Sequence, residues 1–129
     1  MSEKYALVER IRAASLRKDY DDFLDCLTED IEYHYHVGSR PLLGKDWVRK
    51  FINRYEEIAA DVVWRIDRYA ESDNCLFLEG YEEYTDQRTG DRIAHPYMGI
   101  FEFRDGKVSK WRDYFEMDQK KDEAAEAAS

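Results

Sequence analysis

The 129 residues of this chain suffice for one domain, and 43% apolar residues supply its hydrophobic core. The net charge of −9 argues against nucleic acid or an anionic membrane surface as partners, because both require a basic face. No apolar run reaches the length of about 18 residues that a membrane helix needs. The start "MSEKYALVER" lacks the apolar core of a secretory signal, and Cys26 and Cys75 form no CxxC pair, so we expect a reducing, cytoplasmic location.

The first half of the chain mixes helical and extended patterns. Residues 3 to about 18 repeat apolar positions at helical spacing, and a second short helix follows, for which Asp19 is a suitable N-cap. Residues 31–37 alternate as a strand does. Residues 45–59 then carry the apolar stripe of a third helix.

The second half changes to the period of two that is typical of strands. This alternation predicts strands at residues 61–71, 75–86, 91–104 and 107–118. A turn around Gly90 and the tight turn "RDGK" connect the last three of them.

Three helices and an early strand, followed by a long meander, predict an α+β fold. We expect a strongly curved, mostly antiparallel sheet packed against three N-terminal helices. Residues 1–118 should form a single domain, and residues 119–129 a solvated tail. A curved sheet closed at one end by helices encloses an apolar pocket, here called the hollow, and that is where function is expected.

Each of the last three strands places one ionisable side chain among apolar neighbours on the face turned toward the hollow. These side chains are Glu82, His95 and Asp113. A titratable group among aromatic rings is unfavourable unless it is paired or its pKa shifts, so three that converge indicate acid–base chemistry. Asp113 has the firmest placement, because Trp111 and Phe115 on its face are bulky and apolar.

Two of these side chains have a plainer alternative. A single histidine on an apolar strand, such as His95, is more often a hydrogen-bonded core residue than a catalyst. A register slip of one residue would turn Glu82 outward and Glu83 inward.

The first strand is ambiguous about which of its side chains face the hollow. Plain burial turns Tyr33 and Tyr35 inward and exposes His34 and His36. The opposite parity places both histidines in the hollow, and composition does not decide between the two.

The segments "DIEYHYHVGSRPLLGKDWVRKFI" and "GIFEFRDGKVSKWRDYFEM" make the chain similar to a known superfamily. It resembles the nuclear-transport-factor-2-like proteins, and within them the limonene-1,2-epoxide hydrolase and SnoaL-like polyketide cyclase group. The resemblance covers nearly the whole chain, and its most specific part is "GKVSKWRDYFEM". It implies a cone-shaped α+β barrel with a deep apolar pocket, commonly dimeric through its sheet.

The resemblance also implies roles for individual residues. Asp113 matches the last-strand carboxylate that activates water in the hydrolases, and Glu82 falls where their second carboxylate would be. Gly80 falls where their arginine would be, which is a departure from the pattern. His34 and His36 fall on the Tyr and Asn positions that help hold the water, so we take the two histidines to face inward.

The missing arginine changes the expected chemistry. Two carboxylates without a cation between them do not both ionise in an apolar pocket, so one pKa should rise and yield an acid and a base. Alternatively His36 or His95 supplies the cation beside Asp113. Either arrangement predicts a general acid–base enzyme without a cofactor: an isomerase, a dehydratase or other lyase, or a cyclase.

The aromatic side chains that should contact substrate suggest a small apolar molecule, aromatic or polycyclic. They are Trp111, Tyr97, Tyr84, Phe101 and Phe115. The alternatives are an epoxide hydrolase with an altered site and a non-catalytic module that binds a ligand or a protein.

Two further expectations concern a metal and a partner. A zinc or iron site built from His34, His36, His95 and a carboxylate is a weaker rival, because His-x-His on a strand is a weak signal. A homodimer is expected by resemblance, and Met98, Ile100 and Tyr114 on the outer sheet face would suit it.

Overall fold

The computed structural model of the protein describes residues 2–117 and 119–121. Within these residues it contains three helices and six strands. In chain order they are α1 (Glu3–Leu16), α2 (Tyr20–Asp25), β1 (Leu27–His34), β2 (Leu42–Leu43), α3 (Lys45–Ile58), β3 (Ala59–Ser72), β4 (Cys75–Asp86), β5 (Arg92–Arg104) and β6 (Lys107–Tyr114).

The first two helices begin at side-chain caps. The Ser2 hydroxyl accepts the backbone N–H of Tyr5 at 3.0 Å at the start of α1. Asp19, the predicted N-cap, accepts the N–H of Asp22 at 3.1 Å at the start of α2. These bonds satisfy backbone donors that have no partner inside the helix. No helix of the described residues combines the length and the apolar character that a membrane crossing requires.

The six strands form one curved sheet in the order β2-β1-β6-β5-β4-β3. Only β1 and β6 run parallel, and the other neighbours are antiparallel. The predicted α+β class and the mostly antiparallel sheet are confirmed. The closed barrel that the resemblance implied is wrong, because β2 and β3 are edges that do not pair with each other.

Irregular pairing bends this sheet. The register between β3 and β4 shifts at Ala60/Val63 and again at Ile66/Arg68. Such bulges increase strand twist and let a long ribbon curl. The curl leaves a packed core at one end of the sheet and a hollow at the other, between the sheet and α3.

The core lies where α1 and α2 cover the sheet. Its largest fully buried side chains include Ile11, Leu27, Leu76, Phe101 and Val108. Residues from all three helices and from four strands thus share one apolar cluster. This cluster fixes the base of the hollow and therefore the positions of the side chains that line it.

Two strand boundaries differ from the sequence-based expectation. The early strand spans Leu27–His34 instead of residues 31–37, and the last strand ends at Tyr114 instead of residue 118. In the predicted tail, the Gln119 carbonyl accepts the Ala94 N–H at 2.9 Å. The rest of that tail, residues 122–129, lies outside the described residues.

Candidate active site

The hollow is a cavity of about 760 Å³ with a largely aromatic wall. This volume falls in the range of about 300–1,000 Å³ that is usual for small-molecule sites. Its aromatic lining includes Tyr33, Tyr55, Trp64, Tyr97, Trp111 and Phe115. Among these rings lie the ionisable side chains Glu82, His95 and Asp113, from three adjacent strands.

Asp113 projects from β6 into the hollow beside Trp111. The indole N–H of Trp111 donates to Asp113 Oδ1 at 2.9 Å. Gly99 lies directly opposite Asp113 on β5, and a Cβ there would stand 3.0 Å from Oδ1, so the glycine leaves room for the carboxyl group. Burial raises the pKa of Asp113 well above its ordinary value, the charge of Glu82 adds to the rise, and the Trp111 bond opposes it.

Glu82 enters the hollow from β4, at the register that strand alternation predicts. The Tyr55 hydroxyl, from α3, donates to Glu82 Oε1 at 2.8 Å. Burial raises the pKa of Glu82, while the Tyr55 bond and the electrostatic effect of His95 oppose the rise. Glu83 instead pairs with Arg92 at 2.6 Å.

Among the described residues, no lysine or arginine shifts the pKa of Asp113 or of Glu82, and the basic group beside Glu82 is the imidazole of His95. Of the described residues that line the hollow, Lys18 and Arg88 are basic, and their side chains are 64% and 57% exposed. Lys18 lies 3.8 Å from Glu56, and Arg88 lies 2.9 Å from Asp86. The charges of Lys18 and Arg88 are therefore compensated by these acidic partners, and water screens them because both side chains are largely exposed.

His95 lies beside Glu82, directly opposite it in the β4–β5 register. The histidine is 2% exposed, and its ring stacks on Phe115 with centroids 4.3 Å apart. Its Nδ1 lies 3.3 Å from the Pro96 carbonyl oxygen. If Nδ1 carries the proton that this carbonyl accepts, Nε2 is the nitrogen left for other partners.

The inward placement of His34 and His36 was wrong. Tyr33 and Tyr35 line the hollow, because Tyr33 pairs with Trp111 across β1 and β6 and its large ring gains more from burial than an imidazole does. His34 Nε2 lies 3.4 Å from Glu32 Oε1, outside the cavity. His36 Nε2 lies 3.0 Å from the Phe115 carbonyl oxygen, so its ring holds the end of β6 instead of the hollow.

Four of the five aromatic residues predicted to contact substrate line the hollow: Trp111, Tyr97, Tyr84 and Phe115. The prediction for Phe101 was wrong. That side chain is 1% exposed in the core, where its ring packs 4.8 Å from the Trp111 ring. Strand alternation predicts the correct face of the sheet for Phe101, but not its position along the strand. At that position the helices cover the sheet.

Sequence reasoning missed two polar contacts in the hollow. Tyr55 belongs to the apolar stripe of α3, and helical periodicity does not reveal that its hydroxyl meets Glu82. Trp64, on β3, donates its indole N–H to the Tyr97 hydroxyl at 2.5 Å. The β3 bulge next to Trp64 weakens any argument from strand alternation there.

The metal site considered as a rival needs His34, His36 and His95 together. Over residues 2–117 and 119–121, no group of three or more His, Cys, Asp or Glu side chains is arranged to hold a metal ion.

Comparison with known proteins agrees with this geometry. The family model of the SnoaL-like domain matches residues 8–111. No curated protein matches the sequence significantly.

Solved structures share the fold at low sequence identity. A nuclear-transport-factor-2-like protein from Burkholderia pseudomallei is 21% identical with a TM-score of 0.81, covering 90% of this chain and 92% of that one. A putative polyketide cyclase from Xanthomonas campestris is 20% identical with a TM-score of 0.81, covering 89% and 91%. An LEH-like epoxide hydrolase of M. tuberculosis is 21% identical with a TM-score of 0.80, covering 98% and 92%. The resemblance inferred from the sequence is confirmed.

Proposed function

The chain belongs to the SnoaL-like domain family, and from this premise we propose that it is a cofactor-independent general acid–base enzyme. Its substrate is a small apolar molecule, aromatic or polycyclic, and its reaction is an isomerisation, a dehydration or other lyase step, or a cyclisation. One observation carries the proposal: Glu82 and Asp113 share an aromatic cavity in which the described residues place no lysine or arginine beside either carboxyl group.

The two carboxyl groups have different surroundings, which assigns them different roles. Among the described residues, the carboxyl group of Asp113 receives one hydrogen bond, from Trp111, and its pKa is raised well above the ordinary value by burial and by the charge of Glu82. Glu82 receives the Tyr55 hydrogen bond and lies opposite His95, and both favour its ionised form. The shared proton therefore resides on Asp113, which makes Asp113 the acid and Glu82 the base.

This division supports proton transfer at a carbon next to a carbonyl group. Glu82 takes a proton from that carbon, and the electrons of the broken C–H bond move toward the carbonyl oxygen. In an isomerisation Asp113 returns a proton to a different carbon. In a dehydration it protonates a hydroxyl that leaves as water. In a cyclisation the new carbanion attacks a second carbonyl, whose oxygen takes the proton of Asp113.

The walls of the hollow support a flat, apolar substrate. Trp64 and Trp111 lie nearly parallel, with centroids 6.0 Å apart, and Tyr35 stacks on Phe51 at 4.6 Å. Such faces bind aromatic and alicyclic rings by dispersion and burial. They also exclude water, which strengthens the electrostatic effect of the carboxyl groups on bound substrate.

Epoxide hydrolysis is the second candidate, favoured by the fold shared with the M. tuberculosis epoxide hydrolase. The sequence resemblance, which sets Asp113 at the last-strand carboxylate of such hydrolases, also supports it. Gly80 opposes it. A Cβ at Gly80 would stand 2.2 Å from the Arg65 carbonyl oxygen, so the arginine that the resemblance calls for has no space at this position. Without that cation, ionising both carboxyl groups to activate water is unfavourable.

The test follows α-proton exchange of 2-tetralone in D₂O by NMR. The wild-type protein is expected to accelerate exchange without any added cofactor. Asp113→Asn and Glu82→Gln should each lower the catalysed rate by about 10²- to 10⁴-fold, the usual contribution of a positioned acid or base. Glu79→Gln is the matched control, because Glu79 lies on β4 outside the hollow, with its side chain 47% exposed.

Three outcomes would contradict this function. Wild-type exchange rates in both Asp113→Asn and Glu82→Gln would remove the carboxyl pair from the chemistry. Hydrolysis of styrene oxide with no exchange of any enolisable ketone would favour the epoxide hydrolase. Binding of 2-tetralone without turnover of either compound would favour a non-catalytic ligand-binding module.

A further inference from the structure

Tyr97 occupies the space that a side chain at position 80 would otherwise fill. The two residues lie directly opposite each other in the β4–β5 register. A Cβ on Gly80 would stand 2.8 Å from Tyr97 Cε1 and 2.9 Å from its hydroxyl oxygen. The outer part of the tyrosine ring and its hydroxyl therefore lie over the glycine, an arrangement in which an aromatic side chain covers a glycine on the neighbouring strand.

Trp64 fixes the direction of the Tyr97 hydroxyl group. Its indole N–H donates to the Tyr97 oxygen, and an indole can only donate. The oxygen therefore acts as acceptor toward Trp64 and keeps its own proton for another partner. Arg12, which donates to the Trp64 carbonyl oxygen at 2.9 Å, helps hold the tryptophan in place.

The hydroxyl proton of Tyr97 is not used within the described chain. Over residues 2–117 and 119–121, no side chain or backbone oxygen accepts a hydrogen bond from it. Tyr97 is 6% exposed and lines the same cavity as Glu82 and Asp113. A buried donor without an acceptor is unfavourable, and a bound molecule with an oxygen atom would satisfy it.

We propose that Tyr97 is a catalytic residue that donates a hydrogen bond to a carbonyl oxygen of the substrate, and that Trp64 is its positioning residue. The substrate is then an enolisable ketone with an apolar body. The inference rests on the proposed acid–base function and deepens it.

The donor would act on the charge that proton removal creates. When Glu82 takes a proton from carbon, negative charge develops on the carbonyl oxygen, and a hydrogen bond to that oxygen strengthens. The Trp64 bond draws electron density from the Tyr97 oxygen and makes its O–H a better donor. Burial raises the pKa of Tyr97 and the Trp64 bond opposes that rise, so the hydroxyl keeps its proton at neutral pH.

The test compares two probes that differ by one oxygen atom, 2-tetralone and tetralin. A ketone oxygen only accepts, so the ratio of the two dissociation constants reports a donor in the cavity. Wild-type protein is expected to bind 2-tetralone about tenfold more tightly than tetralin, the size of one buried hydrogen bond. The carbonyl stretch of the bound ketone should lie at lower frequency than in hexane.

Two variants remove the donor and its support. Tyr97→Phe keeps the ring over Gly80 and should abolish the tenfold preference and the infrared shift. Trp64→Phe removes the N–H partner together with part of the cavity wall. The ratio of the two affinities cancels the change in the wall and should fall to about threefold, because the Tyr97 hydroxyl can then rotate. Tyr69→Phe and Trp47→Phe are matched controls at exposed positions, where the preference should stay tenfold.

Three results would overturn the inference. They are equal wild-type affinity for the two probes, an unchanged preference in Tyr97→Phe, or an infrared shift that survives both variants. Should Tyr97→Phe fail to fold, the wild-type spectrum and Trp64→Phe still decide. The readout is binding, so its failure is separate from a failure of the carboxyl pair, which is read from exchange rates in Asp113→Asn and Glu82→Gln.

Discussion

The fold buries the carboxyl group of Asp113, although an ionised carboxylate is more stable in water. The carboxyl group lies beside Trp111 and Gly99, and among the described residues its one hydrogen bond comes from the Trp111 indole. The native state holds the group protonated more readily than the unfolded chain does, because burial disfavours the charged form. A residue that destabilises the native state at neutral pH is the kind that functional sites retain.

The first prediction follows from the free-energy cost of burying an ionised Asp113. The unfolded pKa is about 3.9 and the folded pKa is higher, so the free energy of unfolding falls as pH rises through the interval between them. Asp113→Asn removes the titration. At pH 8 the variant is expected to be more stable than wild type by about 1–3 kcal/mol, with the difference closing toward pH 3. Urea unfolding across pH measures this.

Asp105→Asn is the matched control, since Asp105 occupies the exposed β5–β6 turn with a positive φ that asparagine also adopts. Its stability relative to wild type should not depend on pH in the same interval. A wild-type stability at pH 8 equal to or above that of Asp113→Asn would contradict the buried, uncompensated carboxyl group.

The sequence predicted the positions of both carboxyl groups of the pair. A polar residue among bulky apolar neighbours on one strand face is easy to recognise. Trp111 and Phe115 located Asp113 in this way. The hydroxyl partners were not accessible. Tyr55 donates to Glu82, and Trp64 donates to Tyr97, each from a different element. Local periodicity carries no information on such long-range contacts.

The helix α3 contributes to the site through one hydrogen bond to β4. The Tyr55 hydroxyl donates to Glu82 and favours its ionised form. The second prediction is that Tyr55→Phe raises the pKa of Glu82, because the carboxylate loses that donor. The lower-pH limb of the exchange rate should move to higher pH, since the base then needs a higher pH to ionise.

The control for this shift is Tyr69→Phe, on the far half of β3, where the ring stacks on Tyr5. Its pH profile should coincide with that of wild type. A Tyr55→Phe profile that keeps its lower limb, or moves it to lower pH, would argue that Glu82 is not the ionised base.

The strand β1 explains why sequence reasoning misplaced two histidines. In "IEYHYHV" both parities alternate equally well, and a one-residue slip exchanges the entire set of inward side chains. The parallel pairing with β6, which sets Tyr33 beside Trp111, decides the matter. A local pattern does not show a contact between segments so far apart in the chain. The positions matched through the resemblance selected the wrong parity of the strand.

The close approach of β3 to β4 gives a third prediction. Gly80→Ala should lower the free energy of unfolding by about 1–3 kcal/mol, because its Cβ meets the Arg65 carbonyl oxygen and the Tyr97 ring. Gly99→Ala is the comparison: its nearest neighbour would be the movable Asp113 carboxyl group at 3.0 Å, so it should cost less. Equal losses in denaturant unfolding would contradict the crowding at Gly80.

The outer face of the sheet carries apolar side chains that no described residue covers. Met98 and Tyr114, paired across β5 and β6, are 53% and 44% exposed, and Phe77 on β4 is 38% exposed. Ile100, between them, is half-buried. A patch of this kind on an antiparallel sheet suits contact with a second copy. The homodimer expected from the resemblance therefore stays a prediction, with a defined surface.

Sedimentation equilibrium tests that fourth prediction. Wild-type protein should sediment as a dimer, and Met98→Lys and Tyr114→Lys should each shift it toward monomer, because two buried charges would face each other across the two-fold axis. Leu43→Lys is the control, since Leu43 is 61% exposed on the edge strand β2, outside the patch. A monomeric wild type, or dimers unaffected by both outer-face variants, would rule out this surface.

One measurement addresses the shared proton most directly: a pH titration of the side-chain carboxyl carbons in protein labelled with ¹³C at aspartate and glutamate. Asp113 is expected to titrate well above the ordinary carboxyl pKa of about 4, and Glu82 to ionise first, with the Asp113 signal responding to its charge. If both carboxyl groups titrate independently near pH 4, as exposed groups do, the cavity holds no acid and base pair and the proposed chemistry fails.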